Sequence, residues 1–223
     1  MRSTRLKMVT AIFVVASFYG YIVGCTHDDE VLVSQGPDIA RGTDKVVLGG
    51  KATFDQAHSN VNWSSTYLGA TSLLTGRFDE FGFDSFEFDE SNAAGIKFNA
   101  WVWLNTVNTS EPGRDDGCLL STFGTNGTNT IEAANIARIV SKKVELSTTD
   151  KGYIVTADFT FHGVTKEVTA KMNYAGKTKS GNNTVYGFGL QFQFLAQTDF
   201  LIASTSVGDN ADVKCNAVFS VLP

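Results

Sequence analysis

From residue 46 onward, apolar side chains recur at every second position in runs too long and too regular for anything but half-buried β-strands. Tyr153, Val155, Ala157, Phe159 and Phe161 alternate with Ile154, Thr156, Asp158 and Thr160. His162 and Gly163 then turn the chain, and Val168, Ala170, Met172 and Tyr174 alternate with Thr169, Lys171 and Asn173. After Ser180, Gly181, Asn182 and Asn183, the apolar face is Tyr186, Phe188, Leu190, Phe192 and Phe194. Earlier runs behave alike: Val61, Trp63 and Tyr67, then Phe86 and Phe88, then Ile96, Phe98, Ala100, Val102 and Leu104. Helical periodicity is almost absent. The pattern predicts an all-β, antiparallel fold of about eight strands closed into a barrel, because closure removes the unpaired edges of long strands. One long excursion, 108–134, interrupts the short turns and predicts one or two short helices near 118–123 and 130–134. A barrel of about eight strands either fills with its own side chains or holds one small ligand.

Composition decides which functions such a fold can serve. Hydrophobic residues are 43% of the chain against 18% charged, so a core is affordable by any reading and disorder is excluded. The net charge is -5 and no run of Lys and Arg builds a stripe, which removes nucleic acid as a partner. Phe alone supplies 17 residues, more than a polar cleft uses and suited to an apolar interior. The pocket wall is therefore sought among Trp63, Tyr67, Phe78, Phe86, Phe88, Phe98, Phe159, Phe161, Tyr174, Phe188, Phe192 and Phe194. His27, His58 and His162 have no metal-ligand spacing, and no metal or cofactor is expected. No nucleophile elbow or phosphate loop is present; His58, Ser59, Asp115 and Asp199 are the groups left for catalysis, and barrel-closing hydrogen bonds explain them as well. The chain is read as a binding protein and not an enzyme.

Residues 1–24 have the form of an export signal: Arg2, Arg5 and Lys7 precede an apolar stretch, 8–16, too short to span a bilayer. Ile22, Val23, Gly24 and Cys25 resemble the bacterial lipobox, which implies cleavage before Cys25 and acylation of its thiol; a transmembrane anchor or a chance Cys is the alternative. The acidic stretch 26–30 resembles signals that carry some bacterial lipoproteins to the cell surface, and reads equally as a solvated linker. Residues 25–45 are expected to be a lipidated tether and 46–223 the barrel domain. This places the protein in the cell envelope as an outer-membrane lipoprotein, facing the periplasm or the cell surface. Cys118 and Cys215 then remain as an even pair in an oxidising compartment and are expected to form a disulfide, the alternative being two buried thiols.

The order of motifs resembles the YceI-like family of lipocalin-like barrels. Phe54, Asp55, His58, Ser59, Val61 and Trp63 resemble its opening strand, and Gly76, Phe78 and Phe81 its Gly-Phe turn. Arg114, Asp115 and Leu119 resemble its Arg-Asp pair followed by Leu. The segment 159–169, FTFHGVTKEVT, resembles its most specific stretch, and Asp199 and Phe200 its late Asp-Phe. The chain departs from the pattern at Phe123, Gly124 and Thr125, where Phe-Phe-Asp is common, and at Gln197, where Arg is common. The resemblance implies a ligand, a polyisoprenoid or similar long-chain lipid, taken into the barrel. Its charged end would stay at the mouth, near Arg114 and Asp115; Arg138, Lys142, Lys143 and Lys166 are further cations, none singled out by spacing. The expected partners are this lipid and, through Cys25, the membrane; a homodimer is left open.

Overall fold

The computed structural model describes residues 41–69, 72–125, 131 and 133–223. The expected export signal, Cys25 and the part of the expected tether before Arg41 lie outside the described residues. Twelve strands are found among those described: β1 (Lys45–Val47), β2 (Ala52–Phe54), β3 (Asn60–Tyr67), β4 (Ser72–Phe78), β5 (Phe81–Asp89), β6 (Lys97–Trp103), β7 (Val107–Asn108), β8 (Ile136–Leu146), β9 (Tyr153–Phe161), β10 (Val164–Ser180), β11 (Asn183–Leu195) and β12 (Val207–Val221). Nine are long and three are fragments of two or three residues, so the expected count of about eight holds for the long ones.

All twelve belong to one antiparallel sheet in the order β1-β5-β6-β8-β9-β10-β11-β12-β3-β4-β7, with β2 added to the end of β12. The sheet curls into a half-barrel. It does not close as a complete ladder: among the described residues no strand pairing joins β4 to β5. At one end a narrow ribbon bridges the gap, since β1 pairs with β5, β2 pairs with β12, and Gly49 and Ala52 hydrogen-bond each other between them (3.0 and 3.2 Å). At the other end the gap is covered by a short helical stretch, α1, made of Pro112–Arg114, a wider π-type turn Asp115–Leu119, and Leu120–Thr122. A single turn of 3-10 helix, Ala133–Asn135, stands where the second helix was expected.

Local chemistry accounts for the best-formed elements. β9 alternates buried and half-buried without a fault, with Val155 and Ala157 fully buried. His162 (φ 50°) and Gly163 (φ 73°) both take left-handed backbone, the requirement of a two-residue turn whose twist matches the strands. In β5 the register slips between Phe83 and Ser85, so Phe81 and Phe83 face inward before the bulge and Phe86 and Phe88 after it. β8 slips in the same way between Ser141 and Lys143, moving the buried set from Ala137 and Ile139 to Val144.

The expected tether does not extend to residue 45. Arg41 lies over the Tyr153 ring (4.8 Å), and Asp44 accepts hydrogen bonds from the Tyr174 hydroxyl (2.8 Å) and the Lys177 ammonium. Burial works against the Asp44 carboxylate, but the bonds from Lys177 and Tyr174 outweigh it and hold the carboxyl below its ordinary value. A depressed carboxyl contributes stability that is complete above the range of a free aspartate and is lost as pH falls through its own lower value. Asp44→Asn is therefore expected to lower the urea midpoint near neutral pH and to leave it unchanged where the carboxylates are protonated, which paired denaturation curves at the two pH values would check.

Candidate functional site

The interior divides into two parts. Toward the ribboned end it is solid: Phe219, fully buried, stacks on Phe86 (4.2 Å between centroids, 18° between planes) and touches Phe54, Phe83 and Phe188. Toward α1 the curled sheet encloses a cavity of about 160 Å³. Its wall is drawn from β2 to β6 and β8 to β12 and from α1, and carries no charged side chain; Ser65, Thr122 and Asn216 are the polar residues beside the Trp rings and Cys215.

Of the twelve aromatic residues expected in the wall, nine line this cavity: Trp63, Phe78, Phe86, Phe98, Phe159, Phe161, Phe188, Phe192 and Phe194. Three do not. Phe88 is solid core against Tyr153, Tyr174 and Phe188. Tyr174 turns its hydroxyl to Asp44, and burial with that bond raises its pKa. Tyr67 stands at the tip of β3, exposed. The wall also holds Phe54, Phe81, Phe83 and Phe123, with Leu119 and Ile202, which the alternation does not mark, and Met172 and Leu190, which lie on its apolar faces.

Phe123 is the centre of the plug. Its ring contacts Trp63 (6.0 Å), Phe78 (6.1 Å) and Phe161 (5.7 Å), spanning three strands across the open end. It is placed there by the way α1 stops. Gly124 (φ 68°) donates to Ser121 (3.2 Å) and Thr125 to Leu120 (3.1 Å), the paired bonds of a Schellman cap. A Cβ at Gly124 would stand 2.4 Å from the His162 ring, so glycine also allows α1 to pack on the β9–β10 turn.

Arg114 and Asp115 turn to Thr109 and not to the cavity. Arg114 donates to the Thr109 hydroxyl (2.8 Å) and carbonyl (3.0 Å), and buried Asp115 accepts from the Thr109 N–H (3.0 and 3.1 Å) and hydroxyl. Both are spent fixing the approach to α1, and neither lines the cavity. The other cations each meet a carboxylate: Arg138 with Asp84, Lys142 with Glu167 (2.9 Å) and Asp158 (3.3 Å), Lys143 with Glu145 (2.8 Å), Lys166 with Asp199 (3.6 Å). His58 pairs with Asp55 (2.8 Å), and Ser59 bonds the Asp55 carbonyl and the Val218 N–H. His58 and Ser59 are thus both held by Asp55, Asp115 by Thr109 and Asp199 by Lys166. Gln197 donates to the carbonyls of Ser204 (3.1 Å) and Val207 (2.6 Å), fastening the β11–β12 connection.

The expected Cys118–Cys215 disulfide is not made; both thiols are free. Cys118 is exposed on α1, whereas Cys215 lies mid-strand in β12 and faces the cavity. Burial pushes the Cys215 thiol up to about 12. In the native protein Cys118 is expected to react with a water-soluble alkylating reagent at mildly alkaline pH at least about a thousandfold faster than Cys215, since only the thiolate attacks. Peptide mapping after timed alkylation would check this, and a bridged peptide pair would contradict it.

A curled antiparallel sheet around an apolar cavity, with a short helix across the open end, defines a lipocalin-like fold. The chain belongs to the YceI-like domain family, which matches residues 53–219. A UPF0312 protein of Vibrio campbellii is 30% identical over 152 residues, 68% of this chain and 73% of the relative. One from Vibrio parahaemolyticus is 31% identical over 121 residues, covering 54% of this chain and 59% of its own length. Among solved structures, Burkholderia cenocepacia BcnA has the same fold, with a TM-score of 0.56 at 18% identity over 74% of this chain and 99% of its own. A polyisoprenoid binding domain from Saccharophagus degradans gives a TM-score of 0.49 at 17% identity, covering 78% of this chain and 99% of its own.

Proposed function

We propose that the domain binds the apolar chain of a polyisoprenoid or similar long-chain lipid and serves as its carrier, store or sensor in the cell envelope, held at the outer membrane by acylation of Cys25. The observation that carries the reading is the cavity wall: nine long strands and α1 contribute to one space with no charged group facing it. Such a space rewards apolar surface and penalises anything polar. No group on it is arranged for bond making or breaking, so binding without turnover is proposed.

The volume sets the terms of binding. About 160 Å³ accommodates a benzene-sized group, below the roughly 300–1,000 Å³ of ordinary small-molecule sites. A longer chain enters when Phe123 swings out and its neighbours repack, leaving the polar end outside the cavity. The same small volume favours a second reading, a filled barrel that acts through its outer surface as an adhesion or protein-interaction module.

Titration with prenyl alcohols of increasing length separates the two. The lipid reading expects saturable one-to-one binding at micromolar concentration or tighter, gaining with each unit until the cavity is full, since each buried CH₂ contributes about 0.8 kcal/mol. Absence of binding at every length would favour the filled barrel. For the anchor, the full chain is expected to take up labelled fatty acid in a bacterial host and to lose it in Cys25→Ser; label retained by that variant would remove Cys25 as the site.

A further inference from the structure

Two leucines at the cavity end are held outward by backbone that leucine rarely adopts. Leu68, after β3, and Leu201, between β11 and β12, have φ of 48° and 58°, and are 55% and 68% exposed. A branched side chain in left-handed backbone is strained, and such strain persists only where the surroundings impose it. Here they do. Leu201 sits between Phe200 and Ile202, both buried, and the Ile202 N–H bonds the Ala196 carbonyl (3.1 Å). Asp209 accepts from the N–H groups of Gln197 (2.7 Å) and Thr198 (3.0 Å) and from the Thr198 hydroxyl (2.6 Å), so the connection carrying Leu201 is fastened at its base. Leu68 is tied to the same connection by its N–H, which donates to the Ser206 carbonyl (2.7 Å).

The inner side of this rim is cavity wall: Ala196, Ile202 and Val207 line the space, and Val207 pairs with Tyr67 beside Leu68. Apolar surface thus continues from the interior over the edge to the outside. We infer that this rim rests on a lipid bilayer, with Leu68 and Leu201 inserted among the lipids, so that an apolar chain passes between bilayer and cavity without crossing water. The inference deepens the lipid-binding reading and rests on it for the transfer step; the docking itself does not.

Area and charge favour a membrane over a second protein. Tyr67, Leu68 and Leu201 together expose on the order of 300 Å², well short of the roughly 800 Å² per partner that a stable protein interface buries, whereas a few apolar groups give a shallow, reversible contact with lipid. The Lys166–Asp199 ion pair nearby is internally neutralised (3.6 Å), so the contact does not depend on anionic lipid.

The test uses the full chain with one added Trp, Leu201→Trp at the rim or Leu146→Trp at the far end of β8, where Leu146 is 47% exposed. Each is mixed with vesicles of phosphatidylcholine, plain or brominated in the acyl chains, and compared with the unsubstituted chain. Leu201→Trp is expected to shift its emission to the blue and to be quenched by bromine at least about twofold more than Leu146→Trp, at low and high salt alike. Equal quenching at the two positions, no quenching at either, or loss of a dimer in sedimentation of Leu201→Ser would each overturn the docking. With prenyl alcohol loaded in the vesicles, the double variant Leu68→Ser, Leu201→Ser is expected to slow transfer at least about tenfold at unchanged final occupancy. Unchanged transfer overturns the route through the rim, whereas failure of lipid binding itself is read separately from the quenching.

Discussion

Phe219→Ala is expected to lower the unfolding free energy by about 3–5 kcal/mol, the cost of removing a buried aromatic ring from a site that relaxes only in part. For a folded unit of this size that is a drop in Tm of roughly 6–20 °C. The size of the effect follows from the setting. Phe219 is fully buried, ring-stacked on Phe86, and in edge or tilted contact with Phe54 (5.5 Å), Phe83 (5.3 Å) and Phe188 (5.8 Å), so four rings lose a neighbour at once. Those four rings also line the cavity, and the space left by Phe219 joins it. The variant is therefore expected to regain part of its stability on saturation with an apolar ligand, because a ligand that binds only the folded state stabilises it by mass action. Thermal unfolding with and without a prenyl alcohol reads both effects; a loss under about 1 kcal/mol would mean that the aromatic cluster is not the core it is taken to be.

The second large effect is on binding. Ala211 is buried in β12, lines the cavity and pairs with Phe194 on β11 and Ser65 on β3. Ala211→Phe fills space instead of creating it. Excluding roughly 110 Å² of ligand surface removes about 2.7 kcal/mol of apolar burial, a fall of about a hundredfold in affinity. Overpacking is expected to cost about 1–3 kcal/mol of stability, small enough to leave the fold in place. Equilibrium titration together with circular dichroism separates the two consequences. Unchanged affinity in a folded variant would put the ligand elsewhere.

The strands that alternate without interruption were legible in the sequence, and those with a bulge were not. β9, β10 as far as Tyr174, and β11 show one apolar face each, and the wall residues Phe159, Phe161, Phe188, Phe192 and Phe194 follow from period two alone. The slip in β5 between Phe83 and Ser85 inverts the parity, so Phe81 and Phe83 read as the outer face of a strand whose inner face is Phe86 and Phe88. β8 hides for the same reason. Phe54 and Phe123 lie in a three-residue strand and at the end of a helix, where no periodicity exists to point inward; for Phe123 the only signal is Gly124 closing the helix behind it.

Polar residues were harder to read, because sequence order does not say which neighbour consumes a charge. Arg114 and Asp115 look like a recognition pair, yet both are used by Thr109, and Gln197 is used by two backbone carbonyls. Cys118 and Cys215 count as an even pair, but one is on an exposed helical turn and the other faces the interior from mid-strand. Tyr174 has the parity of a wall residue and is diverted by Asp44, a residue that composition assigned to the tether.

The central claim, that the apolar interior is built for a lipid chain, is tested most directly by what the protein carries. Protein expressed in a bacterial host and purified under native conditions would be extracted with organic solvent and the extract identified by mass spectrometry, before and after incubation with prenyl lipids. A stoichiometric isoprenoid or other long-chain lipid in the extract is the predicted result. An extract empty of such lipid on both occasions would contradict the account and leave a filled barrel whose work is done on its outer surface.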